Sequence, residues 1–281
     1  MSHTSSSGDE PIVWVRSSGV RRSLGLRELW HYRELVQFLV WRDVKVRYKQ
    51  TVLGVAWAVL QPLASMLVFA LIFGRLAGMP SDGVPYPIFA LAALVPWTLF
   101  AQGMTQASGS VVASEDLIRK VYFPRLVIPI AAVGSSVVDF AIGFVVLIGL
   151  ILSYGIRPGP QVLWIPALVV LAVATAVATG LWLAALTTRY RDVRHLLPFL
   201  TQLWFFATPV AYPSSLVPAA WRPLYGLNPL VGVIDGFRWA LLGADTRPGP
   251  TVAVAVIAVL VMLVGGTAYF RRAERVLADV I

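Results

Sequence analysis

Cysteine is absent from the chain, which leaves it neither a disulfide framework nor a thiolate metal site. Lysine is almost absent too. Lys45, Lys49 and Lys120 are the only three, and none follows a glycine, so a phosphate-binding P-loop is excluded. The three histidines, His3, His31 and His195, are scattered and show no metal-ligand spacing. No G-x-S-x-G elbow occurs, which removes one common hydrolase arrangement. In the loops the adjacent carboxylates Glu115 and Asp116 would diverge on a helix rather than face one substrate. Charge of either sign is scarce, at 13% of 281 residues against about a quarter in ordinary soluble domains. A chain so poor in reactive groups reads as a conduit whose energy source lies elsewhere.

Apolar residues fill the space. They make up 58% of the sequence, and mean hydropathy is +0.75, so the chain is read as an all-α integral membrane protein. The net charge of +9 sits outside the apolar runs and points to a membrane surface, not nucleic acid. No signal peptide is visible, because the first long apolar run begins near Val52. Residues 1–27 are expected to be a disordered cytosolic tail, with Ile12 to Val15 able to dock locally. Residues 28–51 are expected to form an amphipathic helix. Six spans follow within 52–281, at 52–74, 86–112, 127–154, 162–186, 196–212 and 252–270. The second half of span 2, GMTQASGSVV, is small and polar and suits helix contacts or a wet cavity rather than lipid.

Loop charges orient this topology. With the N-terminus in the cytosol, eighteen of the 23 lysines and arginines fall on the cytosolic side and five outside. The C-terminus is then cytosolic as well. Trp164, Trp221 and Trp239 on one side, with Trp30, Trp41 and Trp182 on the other, fit aromatic belts. Between spans 5 and 6, LNPLVGVIDGFRWALLG starts with a helix-start signal at Asn228-Pro229 and stops at Gly243. Its apolar run is too short to span, and a seventh span would send Arg271, Arg272 and Arg275 outside. Short re-entrant helices are predicted there.

Several residues carry two readings each. In residues 33–50, Val36, Val40, Val44 and Tyr48 recur every four positions, while Arg42, Lys45 and Lys49 share another side. Asp139 lies inside span 3, one turn after Ser135 and Ser136. It is either an interhelical polar contact or a path-lining or proton-carrying carboxylate. Trp204, Phe205, Phe206 and Tyr212 either pack or stack on a passing ligand. Asp235 and Arg238 share one helix face and pair with each other or form part of a gate. In 114–126, Leu117, Ile118, Val121, Tyr122 and Phe123 are apolar among Glu115, Asp116, Arg119 and Lys120, ahead of Pro124. Such a cluster outside the bilayer suggests a protein partner.

Three separate stretches give a resemblance. FLVWRDVKVRYKQTVLGVAWAVLQPL, with Gly54, Trp57 and Pro62 at their spacing, is similar to the start of the permease subunit of ABC-2 type polysaccharide, O-antigen and teichoic acid exporters. SEDLIRKVYFPRLVIPI (114–130) and TPVAYP (208–213) with the segment after it follow in that family's order. The resemblance covers about residues 28–281. It implies a six-helix permease of the bacterial cytoplasmic membrane that pairs with a second copy and docks on two copies of a P-loop ATPase. ATP and Mg²⁺ would sit on that partner, with no cofactor on this chain. The implied substrate is a glycan on a lipid pyrophosphate. Glu115 to Lys120 with Tyr122, Phe123 and Pro124 become the coupling segment. Arg42, Lys45, Arg47, Tyr48 and Lys49 become a cytosolic interface for the ATPase or the lipid headgroup. Asn228, Pro229, Asp235 and Arg238 become an outer gate. The competing readings are a proton-coupled carrier built on Asp139, an ABC-2 exporter of a small molecule or lipid, and a membrane enzyme for which no convincing carboxylate set is present.

Overall fold

The most deeply buried helix opens at Pro85, with Pro87 in its first turn, where a missing backbone N–H costs nothing. In a computed structural model that describes residues 30–49, 55–121, 123–190, 192–244 and 249–278, this helix, α3 (Tyr86–Ala113), is the centre of the bundle. Before it come α1 (Arg33–Lys49) and α2 (Val55–Phe69), the latter continued by a π-helical stretch, Ala70–Leu76. After it come α4 (Glu115–Lys120), α5 (Val127–Ser153) and α6 (Ile165–Arg189). Apart from the single helical turn Arg222–Tyr225, the last three are α7 (Val193–Phe206), α8 (Pro229–Leu242) and α9 (Pro250–Ala278). No strand occurs among the described residues.

Small residues let α3 and α6 close on each other. Gly103 and Ala107 on α3 meet Ala176 and Gly180 on α6, both pairs four residues apart. A Cβ added to Gly180 would lie 2.6 Å from that of Ala107, so the two backbones are already at contact. Further along, the buried hydroxyls of Ser108 and Thr187 lie 3.2 Å apart. The small polar half of span 2 therefore does face other helices, as its composition predicts.

Against α6, α9 offers Gly265 and Gly266 as a groove for the Trp182 indole. That indole donates from Nε1 to the Met262 carbonyl (3.1 Å) and stacks on Tyr269. Trp182 thus seats one side of its ring in the slot that the glycine pair leaves, while the residue stays 36% exposed.

Five helices among the described residues are long and apolar enough to cross a membrane: Ala56–Leu76, Tyr86–Ala113, Val127–Ser153, Pro160–Arg189 and Val252–Glu274. The expected fifth span, 196–212, differs. Its helix α7 has 14 residues, about 21 Å at helical rise, against a hydrocarbon core of about 30 Å. Pro198 interrupts its hydrogen bonding, and Pro209 disfavours continuing the helix through Thr208. Two elements are thinly covered. Leu60, Leu67, Val68 and Leu71 of α2 are exposed, as are Leu196, Phe199, Leu200 and Leu203 of α7.

Candidate functional site

At the end of the bundle where α5 begins, α1 and α4 share one core with it. Leu39 and Phe123 are buried with Val127, Ile128 and Ala131, and Leu35, Val36, Val40, Leu117 and Ile118 pack around them. Val40 sits on Gly134, where a Cβ would come within 2.7 Å of it. Eight residues on, Tyr48 reaches Asp139. The contacts advance in the same direction on both helices, so α1 runs alongside the first half of α5 and is not a free surface helix. The sequence expects Phe123 on an exposed apolar face, yet it is 6% exposed and anchors α4 to α1 and α5. A six-residue helix cannot hold itself in place, and this ring supplies the missing packing. Phe123→Ala is expected to cost about 3–5 kcal/mol of stability, read as a lower melting temperature of the purified subunit. The outward side of α4 keeps Glu115, Asp116, Arg119 and Lys120, with Arg119 paired to Glu115 (2.6 Å) and Val121 exposed beyond. Pro124 is half-buried, and Tyr122 lies outside the described residues, as do Gly54 and the tail 1–27.

The basic residues of α1 divide. Arg42 pairs with its neighbour Asp43 (2.8 Å), Lys45 lies over the Trp41 ring (5.2 Å), and Lys49 is exposed. Arg47 does something else: its guanidinium turns into the bundle and forms an ion pair with Asp139. It also donates to Gln106 Oε1 (2.8 Å) and Ser135 Oγ (3.3 Å), and Ser135 donates to the same Gln106 oxygen (2.8 Å). The Tyr48 hydroxyl donates to the other Asp139 oxygen. Burial first, and then the hydrogen bond to Asp139, push that hydroxyl up from 10.0 to about 12, so it stays protonated and donating at any physiological pH.

This network closes one side of a cavity of about 610 Å³ between α1, α2, α3 and α5. Trp57 and Pro62, two of the span 1 residues singled out in the sequence, both line it, and so do Gln61 and Ser65 of the same helix. Thr98, Gln102 and Gln106 enter from the middle of α3, and Phe140 and Gly143 from α5. The Gln102 carbonyl oxygen is buried without a hydrogen-bond partner. Ser136, beside the network in sequence, has a buried hydroxyl in the same condition.

At the opposite end, Asn228 joins α7 to α8. Its Oδ1 accepts from the Leu230 amide (3.2 Å) as an N-cap, with Pro229 in the first turn, and also from Trp204 Nε1 (3.1 Å). Its Nδ2 donates to the Ala207 carbonyl and to Thr208 Oγ1. Gly243 ends α8 at φ 68°, the left-handed turn expected of it. Phe205 packs edge-on to Trp97 and Phe69, and Trp204 to Phe100. These two rings are packing residues, whereas Phe206 is exposed. The Tyr212 hydroxyl donates to the Phe206 carbonyl (2.8 Å).

Asp235 and Arg238 do not pair. Arg238, 2% exposed, lies flat on the Phe89 ring and donates to the carbonyls of Val210 (3.0 Å), Tyr212 (3.4 Å) and Phe89 (3.4 Å). Asp235 Oδ1 is buried with no partner. Arg238 therefore clamps the non-helical stretch after α7 against α3. Arg238→Lys keeps the charge and loses the fork. It should cost about 1.5–3 kcal/mol, the worth of a charge-assisted hydrogen bond. The check is a cysteine at Ala211, now buried, which should become reactive to maleimide in that variant.

A sequence model of the family described as ABC-2 type transporter matches residues 34–242 of this chain. The chain belongs to the ABC-2 type transporter family. This ABC-2 chain is 31% identical over 254 residues to the O-antigen export system permease protein RfbA of Myxococcus xanthus, covering 89% of itself and 96% of that protein. It is 26% identical to the permease of the same name from Klebsiella pneumoniae, over 88% and 95% of the two chains. Similarity extends to the polysialic acid transport protein KpsM of Escherichia coli, at 22% over 85% and 93%. Sequence reasoning about the ABC-2 chain missed the meeting of Arg47 with Asp139, 92 positions apart. The available signal was an unpaired carboxylate in an apolar helix, which demands a partner from somewhere.

Proposed function

We infer that this chain is the permease half of an ATP-driven exporter, carrying a lipid-linked polysaccharide of the O-antigen or capsule kind across the bacterial cytoplasmic membrane. The observation that carries this is similarity to O-antigen export permeases along nearly the whole of both chains. The absence of a P-loop supports a separate ATPase, which would hold ATP and Mg²⁺. The loop charges support cytosolic N- and C-termini. On this reading α7 and the non-helical stretch after it make the fifth of six crossings together, and α8 is a re-entrant helix below the outer surface. The exposed apolar faces of α2 and α7 are where lipid and a second copy would lie.

Two ATPase subunits closing on ATP would press the outward side of α4. Because α4, α1 and α5 share one core, the push reaches α1 and α5 as a block and moves the cavity wall that Arg47 and Asp139 build. The carrier reading loses force here: Asp139 is committed to a guanidinium and a hydroxyl, which suits a structural tie.

Deleting the gene should remove the glycan from the cell surface while its lipid-linked form accumulates inside. Reversing the α4 charges with Asp116→Lys and Lys120→Asp should cut both export and co-purification of the ATPase, with the permease still in the membrane. Surface glycan unchanged by the deletion would sink the reading.

A further inference from the structure

The cavity beside the Arg47–Asp139 pair has a lining that selects among ligands. Its cation and its carboxylate are spent on each other, so the pair brings no net charge to it. A pyrophosphate would find no free guanidinium there, and a cationic ligand would find no free carboxylate. What the remaining wall offers is neutral: the amides of Gln61, Gln102 and Gln106, hydroxyls, and the Trp57 indole among aliphatic side chains. A volume of about 610 Å³ falls in the ordinary range for small-molecule sites.

Amide acceptors, an aromatic face and no net charge suit an uncharged, polyhydroxylated ring. We propose that this cavity is a sugar-binding subsite within one protomer, holding uncharged sugar units of the glycan against the Gln61 amide and the Trp57 indole. The proposal rests on the reading of the chain as a glycan-export permease. It adds that the ligand contacted here is the sugar, and that Arg47, for all its charge, holds the wall and does not bind the headgroup.

The chain lacks cysteine, so single thiols can be introduced against a silent background. Ser65→Cys and Gln102→Cys place one in the cavity, and Val145→Cys places one on an exposed apolar face. Each variant, in the full complex with an ATPase partner unable to hydrolyse ATP, is treated with N-ethylmaleimide in three membranes. One lacks the glycan precursor, one contains the lipid-linked polymer, and one contains only the sugar-free lipid pyrophosphate. The expected result is labelling of both cavity thiols in the first and third membranes, a several-fold fall in the second, and little labelling at Val145→Cys throughout. Equal labelling with and without polymer overturns the proposal, as does failure of both cavity thiols to react anywhere. Protection by the sugar-free lipid makes the cavity a headgroup site and overturns it too. Surface glycan in cells with and without the gene is scored in parallel. If deletion abolishes export yet polymer does not protect, the subsite falls and the permease reading stands.

Discussion

Asp139→Ala should abolish export, and exchanging the partners, Arg47→Asp with Asp139→Arg, should restore part of it. The alanine strands a guanidinium among Gln106, Ser135 and apolar side chains and removes the acceptor of Tyr48. Breaking a fully buried pair costs about 3–5 kcal/mol. The Arg47 side chain is 31% and the Asp139 side chain 15% exposed, so water recovers part of that, and a loss of about 2–3 kcal/mol is expected. It is read as a drop in melting temperature of the purified subunit alongside the export assay. The swap separates two roles. A tie works in either polarity, whereas a proton carrier at position 139 cannot be replaced by arginine. Recovery of export in the swapped chain supports the tie. If both singles and the swap fail equally in export while the swap alone regains its melting temperature, the tie is structural and the carboxylate has a second task.

Gly180→Val is expected to damage the centre of the bundle, with little of the protein reaching the membrane intact. Even one carbon at that position would sit 2.6 Å from the Ala107 Cβ, and the neighbour is a side chain with no rotamer to give. Overpacking of this kind typically costs about 1–3 kcal/mol, and a branched residue at a helix crossing belongs at the upper end. Compensation is specific: Ala107→Gly in the same chain should recover much of the level for Gly180→Ala and less for Gly180→Val. Membrane level and monodispersity in detergent measure it. Gly180→Val accumulating normally would mean that the two helices are not in contact there.

Much of this fold was legible from hydropathy alone. Residues 86–112, 127–154 and 162–186 come out as α3, α5 and α6 within a few positions, because a helix with no water around it must be apolar along its length. Asn228-Pro229 and Gly243 were equally readable, since capping is local chemistry. Span 5 was not, because apolar composition continues through Thr208 to Tyr212 after the helix has ended. The candidate site was half visible. Asp139 announced that it needed a partner, but the choice of Arg47 depends on α1 lying along α5, which no local pattern states. Phe123 was misplaced for a related reason: an apolar residue in a short charged segment reads the same whether it faces outward or inward. The ligands of Arg238 are backbone carbonyls, and every residue has one, so nothing in the residue types at 210 and 212 marks them.

The π-helical stretch of α2 bears on where this molecule gives way. Gly74 sits under the Tyr86 ring with a would-be Cβ 2.9 Å away, and the wide turn ends in a hydrogen bond from the Ala77 amide to the Ile72 carbonyl. That contact pins α2 at one end, while most of the helix above it shows its side chains outward. Displacing it sideways by a few ångströms would break few packed contacts, whereas moving α3 would break the core. Compliance is therefore concentrated in one wall of the cavity and stiffness in the other three. A wall pinned at Gly74 and thinly covered beyond it yields more readily than the three it faces, on the side that carries Trp57.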